Sequence, residues 1–258
     1  MHMDHVRRGA GAPLVLIHGL GSTWRSWRLV IDRLAAEREV IAVDLPGHGA
    51  TPPLPGPATF AGLADATAAF LAAQKLDGVA VVGSSMGARL VLELARRGLV
   101  GATVSLDPGG FWRGWERHAF YASLAASIRL VRLLQPAMPA LTGSAAGRAL
   151  LFAQFSAHPA RLPPDLALDE MKSFAASPSF DALLRDLAYG PEQTGTPTTR
   201  GPVTIGWGKR DRVCLPAQAA RAVQAFPGAT MHWFGDSGHF PQWDEPEAAA
   251  RLILNAIR

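Results

Sequence analysis

With 258 residues, 48% of them hydrophobic and 18% charged, the chain has the composition of an ordinary globular protein with room for one α/β core and an inserted segment. Its formal charge is +4, but the 22 arginines and three lysines are interleaved with acidic and apolar residues and form no stripe, which argues against a nucleic-acid partner. No stretch approaches a membrane span, the first residues lack the apolar core of a signal peptide, and the single cysteine, Cys214, excludes an internal disulfide, so the expectation is a cytoplasmic protein with no membrane partner.

Taken in order, the chain leaves space for one short strand, over residues 5–8, before the apolar run Leu14-Val15-Leu16-Ile17. That run reads as a buried parallel strand ending in the glycine turn His18-Gly19-Leu20-Gly21. Helical spacing follows over residues 24–36, then a strand over 39–44, the turn Leu45-Pro46-Gly47-His48-Gly49, a proline-rich loop, and a helix over 60–74. Strands at 79–82 and 102–106 flank a helix containing Leu90, Val91 and Leu94. The alternation of strand and helix predicts a mostly parallel sheet covered by helices on both faces.

Between residues 109 and 200 strand character disappears and four helical patterns replace it, over 115–134, 145–157, 165–176 and 180–189. This segment holds ten of the twenty aromatics and reads as an inserted helical cap, with 1–108 and 201–258 forming the core domain. Its aromatics together suggest the roof of an apolar pocket, and Trp112 is a candidate to touch a ligand. Strand character returns at 202–207 and 229–234, with helices expected over 217–226 and 247–258.

The organising stretch is Gly83-Ser84-Ser85-Met86-Gly87, a GxSxG turn between a strand and a helix. A turn this tight requires small residues two before and two after the serine, and it lifts the hydroxyl clear of the sheet. Ser85 is therefore the expected nucleophile. The Met86 N–H, free at the start of the helix, is one expected oxyanion donor, and Leu20 in the glycine turn supplies the second.

A serine needs a base, and the base a carboxylate. Residues just after parallel strands converge on one sheet edge, and His18, His48, Asp107, Asp211 and His239 all follow strands. His239, in a glycine-containing loop after the last strand, is the expected base. Asp211 is the expected acid and gives the order Ser, Asp, His along the chain; Asp107, in a turn-prone setting, is the alternative acid. His18 is read as orienting its loop, and His18, Gly19, Arg89 and Trp207 join Trp112 as candidate substrate contacts. No histidine pair or cysteine cluster suggests a metal.

With these residues placed, the chain resembles the α/β-hydrolase superfamily across nearly its whole length. The resemblance is carried by His18-Gly19-Leu20-Gly21, Asp44-Leu45-Pro46-Gly47-His48-Gly49, the elbow, Trp207-Gly208 with Asp211 and Pro216, and Gly238-His239. It implies an eight-stranded, mostly parallel sheet whose first strand or two are in question here, a helical cap after the sixth strand, and no required cofactor. A serine at the elbow sets the chain apart from the dehalogenase and epoxide-hydrolase branches, whose nucleophile is aspartate. The expected activity is hydrolysis of a carboxylic ester or related acyl compound with an apolar portion. The alternatives are a carbon–carbon bond hydrolase or lyase, the elbow with Arg89 being similar to that of the menaquinone-pathway lyase, and a ligand receptor with little turnover. The scaffold leaves the small-molecule substrate and the oligomeric state open.

Overall fold

The computed structural model describes residues 2–258. β1 (His5–Arg8) runs antiparallel to β3 (Glu39–Val43), and β2 (Pro13–Ile17) lies between β3 and β4 (Ala80–Ser84). β5 (Thr103–Leu106), β6 (Val203–Gly208) and β7 (Thr230–Phe234) complete the order β1-β3-β2-β4-β5-β6-β7, in which every pairing after the first is parallel. The sheet thus has seven strands among the described residues, one fewer than the resemblance implies, with a single short strand ahead of β2.

The central strands read as unbroken apolar runs because both faces are covered. Leu14 and Leu16 of β2 pack on one side with Val40, Ala42, Val82 and Val104. Val15 and Ile17 face the other side with Ile41, Val43 and Val81. The first face is closed by Trp27 of a short 3-10 turn (Trp24–Trp27), by α1 (Ile31–Ala35), and by Ile253 and Leu254 near the C-terminus. The spacing predicts one helix over 24–36, but Val30 leaves helical space at φ −123° and ψ −19° and divides it. The second face carries α2 (Phe60–Ala73) and α3 (Met86–Arg96), with Leu63, Phe70, Leu90 and Val91 in the larger core.

The segment between β5 and β6 is helical: α4 (Glu116–Leu133), α5 (Met138–Gly143), α6 (Ala145–Leu151), α7 (Pro164–Ala176) and α8 (Phe180–Tyr189). α5 is additional to the four expected helices, and α6 stops at Leu151, short of residue 157. At its end Phe152 has φ −108°, and the chain turns so that the Phe155 carbonyl accepts the backbone N–H of His239 at 2.8 Å. After β6 come α9 (Ala219–Ala225), preceded by a 3-10 turn at Pro216–Gln218, then α10 (Pro241–Asp244) and α11 (Pro246–Ala256). Among the described residues no helix is long and apolar enough to cross a membrane.

Register brings the functional loops to one edge. Ile17 pairs with Val43 and Gly83, Ser84 with Leu106, Leu106 with Gly206, and Gly208 with Phe234. The residues that follow these strand ends, from Gly19 to His239, therefore emerge side by side. The turn after β3 is locked by Asp44, whose carboxylate accepts the N–H groups of Trp24 (2.8 Å) and Ala50 (3.1 Å). A Cβ on Gly49 would lie 1.9 Å from that carboxylate, so only glycine fits there.

Candidate active site

Ser85 sits between β4 and α3 with φ 58° and ψ −116°, a conformation that non-glycine residues rarely adopt. The turn is held by the Ser85 N–H, which donates to the Leu106 carbonyl at 2.9 Å, and by the absence of side chains at its flanks. A Cβ on Gly83 would approach the Gly87 carbonyl oxygen to 2.1 Å, and one on Gly87 would approach the Ile17 carbonyl oxygen to 2.2 Å. Both glycines are therefore dictated by backbone-to-backbone contact.

His239 Nε2 lies 2.8 Å from Ser85 Oγ, and His239 Nδ1 lies 2.8 Å from Asp211 Oδ2. The other Asp211 oxygen accepts the N–H groups of Val213 (2.7 Å) and Cys214 (3.0 Å), so both carboxylate oxygens are occupied. This fixes Nδ1–H on the ring and leaves Nε2 as the acceptor of the serine proton. All the partners are deeply buried apart from the Ser85 hydroxyl, which faces a cavity.

Asp107 does not contact His239. Its Oδ1 accepts the Gly208 N–H at 2.8 Å and its Oδ2 has no partner. Burial, then the negative charge of Asp211, pushes its carboxyl well above the usual carboxylate range. Among the described residues the N–H groups of Leu20 and Met86 donate to no acceptor; Met86 directly follows Ser85, and Leu20 lines the cavity with it. Gly19 comes close to the nucleophile: a Cβ there would sit 3.1 Å from Ser85 Cβ and 3.6 Å from its Oγ.

The cavity above Ser85 and His239 is small, about 30 Å³. Its walls come from Leu124, Phe152, Phe155, Met171 and Phe174 of the insertion and from Val213, Phe240 and Trp243 of the sheet edge. Ser22 and Glu170 are its further polar members, and no lysine or arginine lines it.

The structure does not bring the remaining candidate contacts to this cavity. His18 is fully buried below it, its Nε2 accepting the Leu45 N–H at 3.0 Å and its Nδ1 donating to the Gly19 carbonyl at 2.7 Å. Burial lowers its pKa to about 4, so it stays neutral and braces the turn. Arg89 points the other way, under the exit of the insertion, where it donates to the carbonyls of Leu187 and Pro191 and stacks 4.1 Å from the Phe60 ring. Trp112 stacks on Phe120 at 4.4 Å, and Trp207 is spent on the Cys214 carbonyl at 2.9 Å. Each is consumed by packing before it can reach a ligand.

Sequence reasoning missed three residues here. Asp244 accepts the N–H groups of Gly238 (2.7 Å) and Ala157 (2.8 Å), clipping the histidine loop to the insertion. Gln242 donates to Ser84 Oγ, and Glu170 reaches the cavity from α7. The first two lie within five residues of His239 and could have been read as its supports; Glu170 in Asp169-Glu170-Met171-Lys172 looks like a surface charge.

Among the described residues Asp211, Cys214 and His239 form the one group of three whose donor atoms lie within 4.8 Å of one another, as a metal site would require. The Asp211 and His239 atoms already face each other. Burial, reinforced by the charges of Asp211 and Asp107, pushes the Cys214 thiol well up, away from the thiolate a metal binds.

A mostly parallel sheet with a strained serine turn at its edge and a histidine and aspartate on later loops is the architecture of the α/β-hydrolases. The model of the alpha/beta hydrolase family matches residues 14–252, and the chain belongs to that family. It is 33% identical to the dihydrolipoyllysine-residue acetyltransferase component of the acetoin cleaving system of Cupriavidus necator, over 95% of this chain and 63% of that protein, so it spans less than two thirds of that relative. It is 26% identical to the 2-hydroxy-6-oxo-2,4-heptadienoate hydrolase of Pseudomonas putida, over 95% of this chain and 88% of that protein. The enol-lactonase of Burkholderia xenovorans shares the fold with a TM-score of 0.78 at 19% identity, covering 99% of this chain and 96% of that one.

Proposed function

We propose that the protein is a serine hydrolase acting on a carboxylic ester or related acyl compound with an apolar portion. The observation that carries this reading is the unbroken relay Ser85–His239–Asp211, each link 2.8 Å, opening into an apolar cavity. Ser85 Oγ attacks the substrate carbonyl carbon while His239 Nε2 takes its proton. The carbonyl oxygen, now negative, moves between the Leu20 and Met86 N–H groups, which are unengaged beforehand and so need no rearrangement to receive it. Asp211 holds the imidazolium. Collapse of the adduct expels the alkoxide, which takes the proton from His239 and leaves as an alcohol. Water then enters, loses a proton to His239, attacks the acyl carbon and frees the acid and Ser85.

A second reading comes from the Pseudomonas putida relative. The substrate in its name contains no ester, so its hydrolysis breaks a carbon–carbon bond. That substrate is also a carboxylate, and the cavity here offers no cationic side chain to receive one. The neutral acyl substrate is therefore the better fit.

Labelling with a fluorophosphonate, followed by turnover of p-nitrophenyl esters, tests the assignment. Ser85→Ala should abolish labelling and lower kcat by about a million-fold. Residual turnover within about tenfold of the parent would remove Ser85 from the nucleophile's role.

A further inference from the structure

Glu170 is a polar exception in an apolar wall. It sits on the face of α7 that presents Met171 and Phe174 to the cavity, and it is 5% exposed. Its Oε2 accepts the Ser22 hydroxyl at 2.8 Å, and its Oε1 takes no hydrogen bond from the described residues. The nearby cation, Arg28, is committed to Asp165 and Asp169 on the outside of the same helix. Glu170 thus brings a carboxyl group to the same cavity as the Ser85 hydroxyl, with one oxygen unused. With one oxygen bonded to Ser22 and the other open to the cavity, the carboxyl is placed to take a hydrogen bond from a ligand there.

Resting on the acyl-hydrolase reading above, we infer that Glu170 selects the substrate: it receives a hydroxyl or similar neutral hydrogen-bond donor carried on the substrate's apolar portion, and it turns away substrates with a carboxylate there. Burial raises its carboxyl to about 7, so near neutrality the group exchanges between a form that only accepts and one that also donates. Both forms serve a hydroxyl. An ammonium group would have to leave water for an apolar wall against a half-neutralised partner, and an ion pair buried in that way returns little of its desolvation cost. A carboxylate meets either like charge or a single donor, with no cation within the lining.

The test uses four p-nitrophenyl esters of matched six-carbon acyl length, unsubstituted or ending in a hydroxyl, an amine or a carboxylate, with the parent, Glu170→Gln and Glu170→Leu. The parent should favour the hydroxyl ester over the plain one by about tenfold or more in kcat/KM and use the carboxylate ester least. Glu170→Leu should reverse the first preference, and Glu170→Gln should keep it while gaining on the carboxylate ester. Thermal unfolding of each variant separates a folding defect from lost recognition, and the glutamine variant keeps the test alive if leucine disturbs α7. Ratios that stay within about twofold in Glu170→Leu while turnover persists overturn the role of Glu170 and leave the hydrolase reading intact. A parent preference for the amine overturns the neutral-donor assignment in favour of a cation site. Failure of all four esters together with absent fluorophosphonate labelling of Ser85 sinks the hydrolase reading, and this inference with it.

Discussion

Gln242 donates from Nε2 to the hydroxyl of Ser84 at 3.0 Å, tying the residue before the elbow serine to the helix that follows His239. Both side chains are fully buried, and Gln242 Oε1 has no partner, so the amide is retained for one bond at the cost of an unpaired oxygen. Gln242→Ala should lower stability by about 1–3 kcal/mol, the cost of a void and an orphaned hydroxyl. Urea unfolding measures it. Ser84→Ala, which removes the bond with little void, should cost less, and a loss near zero for Ser84→Ala would show that the bond itself carries little.

The two carboxylates at the edge should respond very differently. Asp211→Asn leaves His239 facing an amide that can stabilise the wrong tautomer, and kcat should fall by about 10⁴. Asp107→Asn replaces a carboxyl that makes no hydrogen bond to His239 with an isosteric amide, and the rate should change by less than about tenfold. Stopped-flow ester hydrolysis of both variants decides the assignment, and the reverse ranking would make Asp107 the acid.

The glycines around the nucleophile separate stability from catalysis. Gly83→Ala and Gly87→Ala place a methyl group 2.1 and 2.2 Å from backbone oxygens that cannot yield, so both should fail to fold or lose several kcal/mol. Gly19→Ala meets Ser85 Cβ at 3.1 Å, a contact that a shift of a few tenths of an ångström relieves. It should fold nearly normally and lower kcat. Expression yield and Tm beside kcat distinguish the two classes.

Two buried groups should give opposite pH slopes. His48, neighbour to His18 and Asp44, is lowered by burial from 6.5 to about 3, so the folded state resists a proton that the unfolded chain takes up. The stability it contributes is complete above 6.5 and is lost as pH falls below that value. Glu170, facing Ser22 with Arg28 and Asp169 nearby, is raised from 4.5 to about 7; its contribution is complete below 4.5 and is lost as pH rises through about 7. Compared with the parent across this range, His48→Gln should gain relative stability as the solution is acidified, and Glu170→Gln as it is made neutral. Urea unfolding at several pH values reads both differences, and parallel curves would contradict both burial effects.

The parallel sheet was legible because burial on two faces forces continuous apolar strands such as Leu14 to Ile17, and because glycines that cannot be replaced mark the turns at their ends. Topology brought Ser85, His239 and both candidate acids to one edge, since parallel strands deliver their ends there, but it did not choose between Asp107 and Asp211; the order Ser, Asp, His along the chain favoured Asp211. What escaped were features set by packing between distant segments. Arg89 is one turn beyond the elbow and suggests a ligand contact, yet Leu187 and Pro191, about a hundred residues later, supply the carbonyls that claim it. Glu170 was hidden for the opposite reason: nothing in an amphipathic helix rich in charges says which carboxylate faces inward. α6 stops early, at Leu151, and the chain beyond it gives the Phe155 carbonyl to the His239 N–H, a partner more than eighty residues downstream.

The space above Ser85 is small, about 30 Å³, and its walls are mostly aromatic and aliphatic side chains. A substrate with an apolar tail should therefore displace some of the aromatic side chains that the insertion places around Ser85. Asp244 fastens Ala157 to the histidine loop, Arg89 fastens the exit of the insertion to α3, and Arg28 and Ser22 fasten α7, which leaves Leu124 of α4 as the wall with the fewest ties to the core. Turnover should then carry the signature of a gate, slowing in viscous solvent even for esters whose leaving group departs readily.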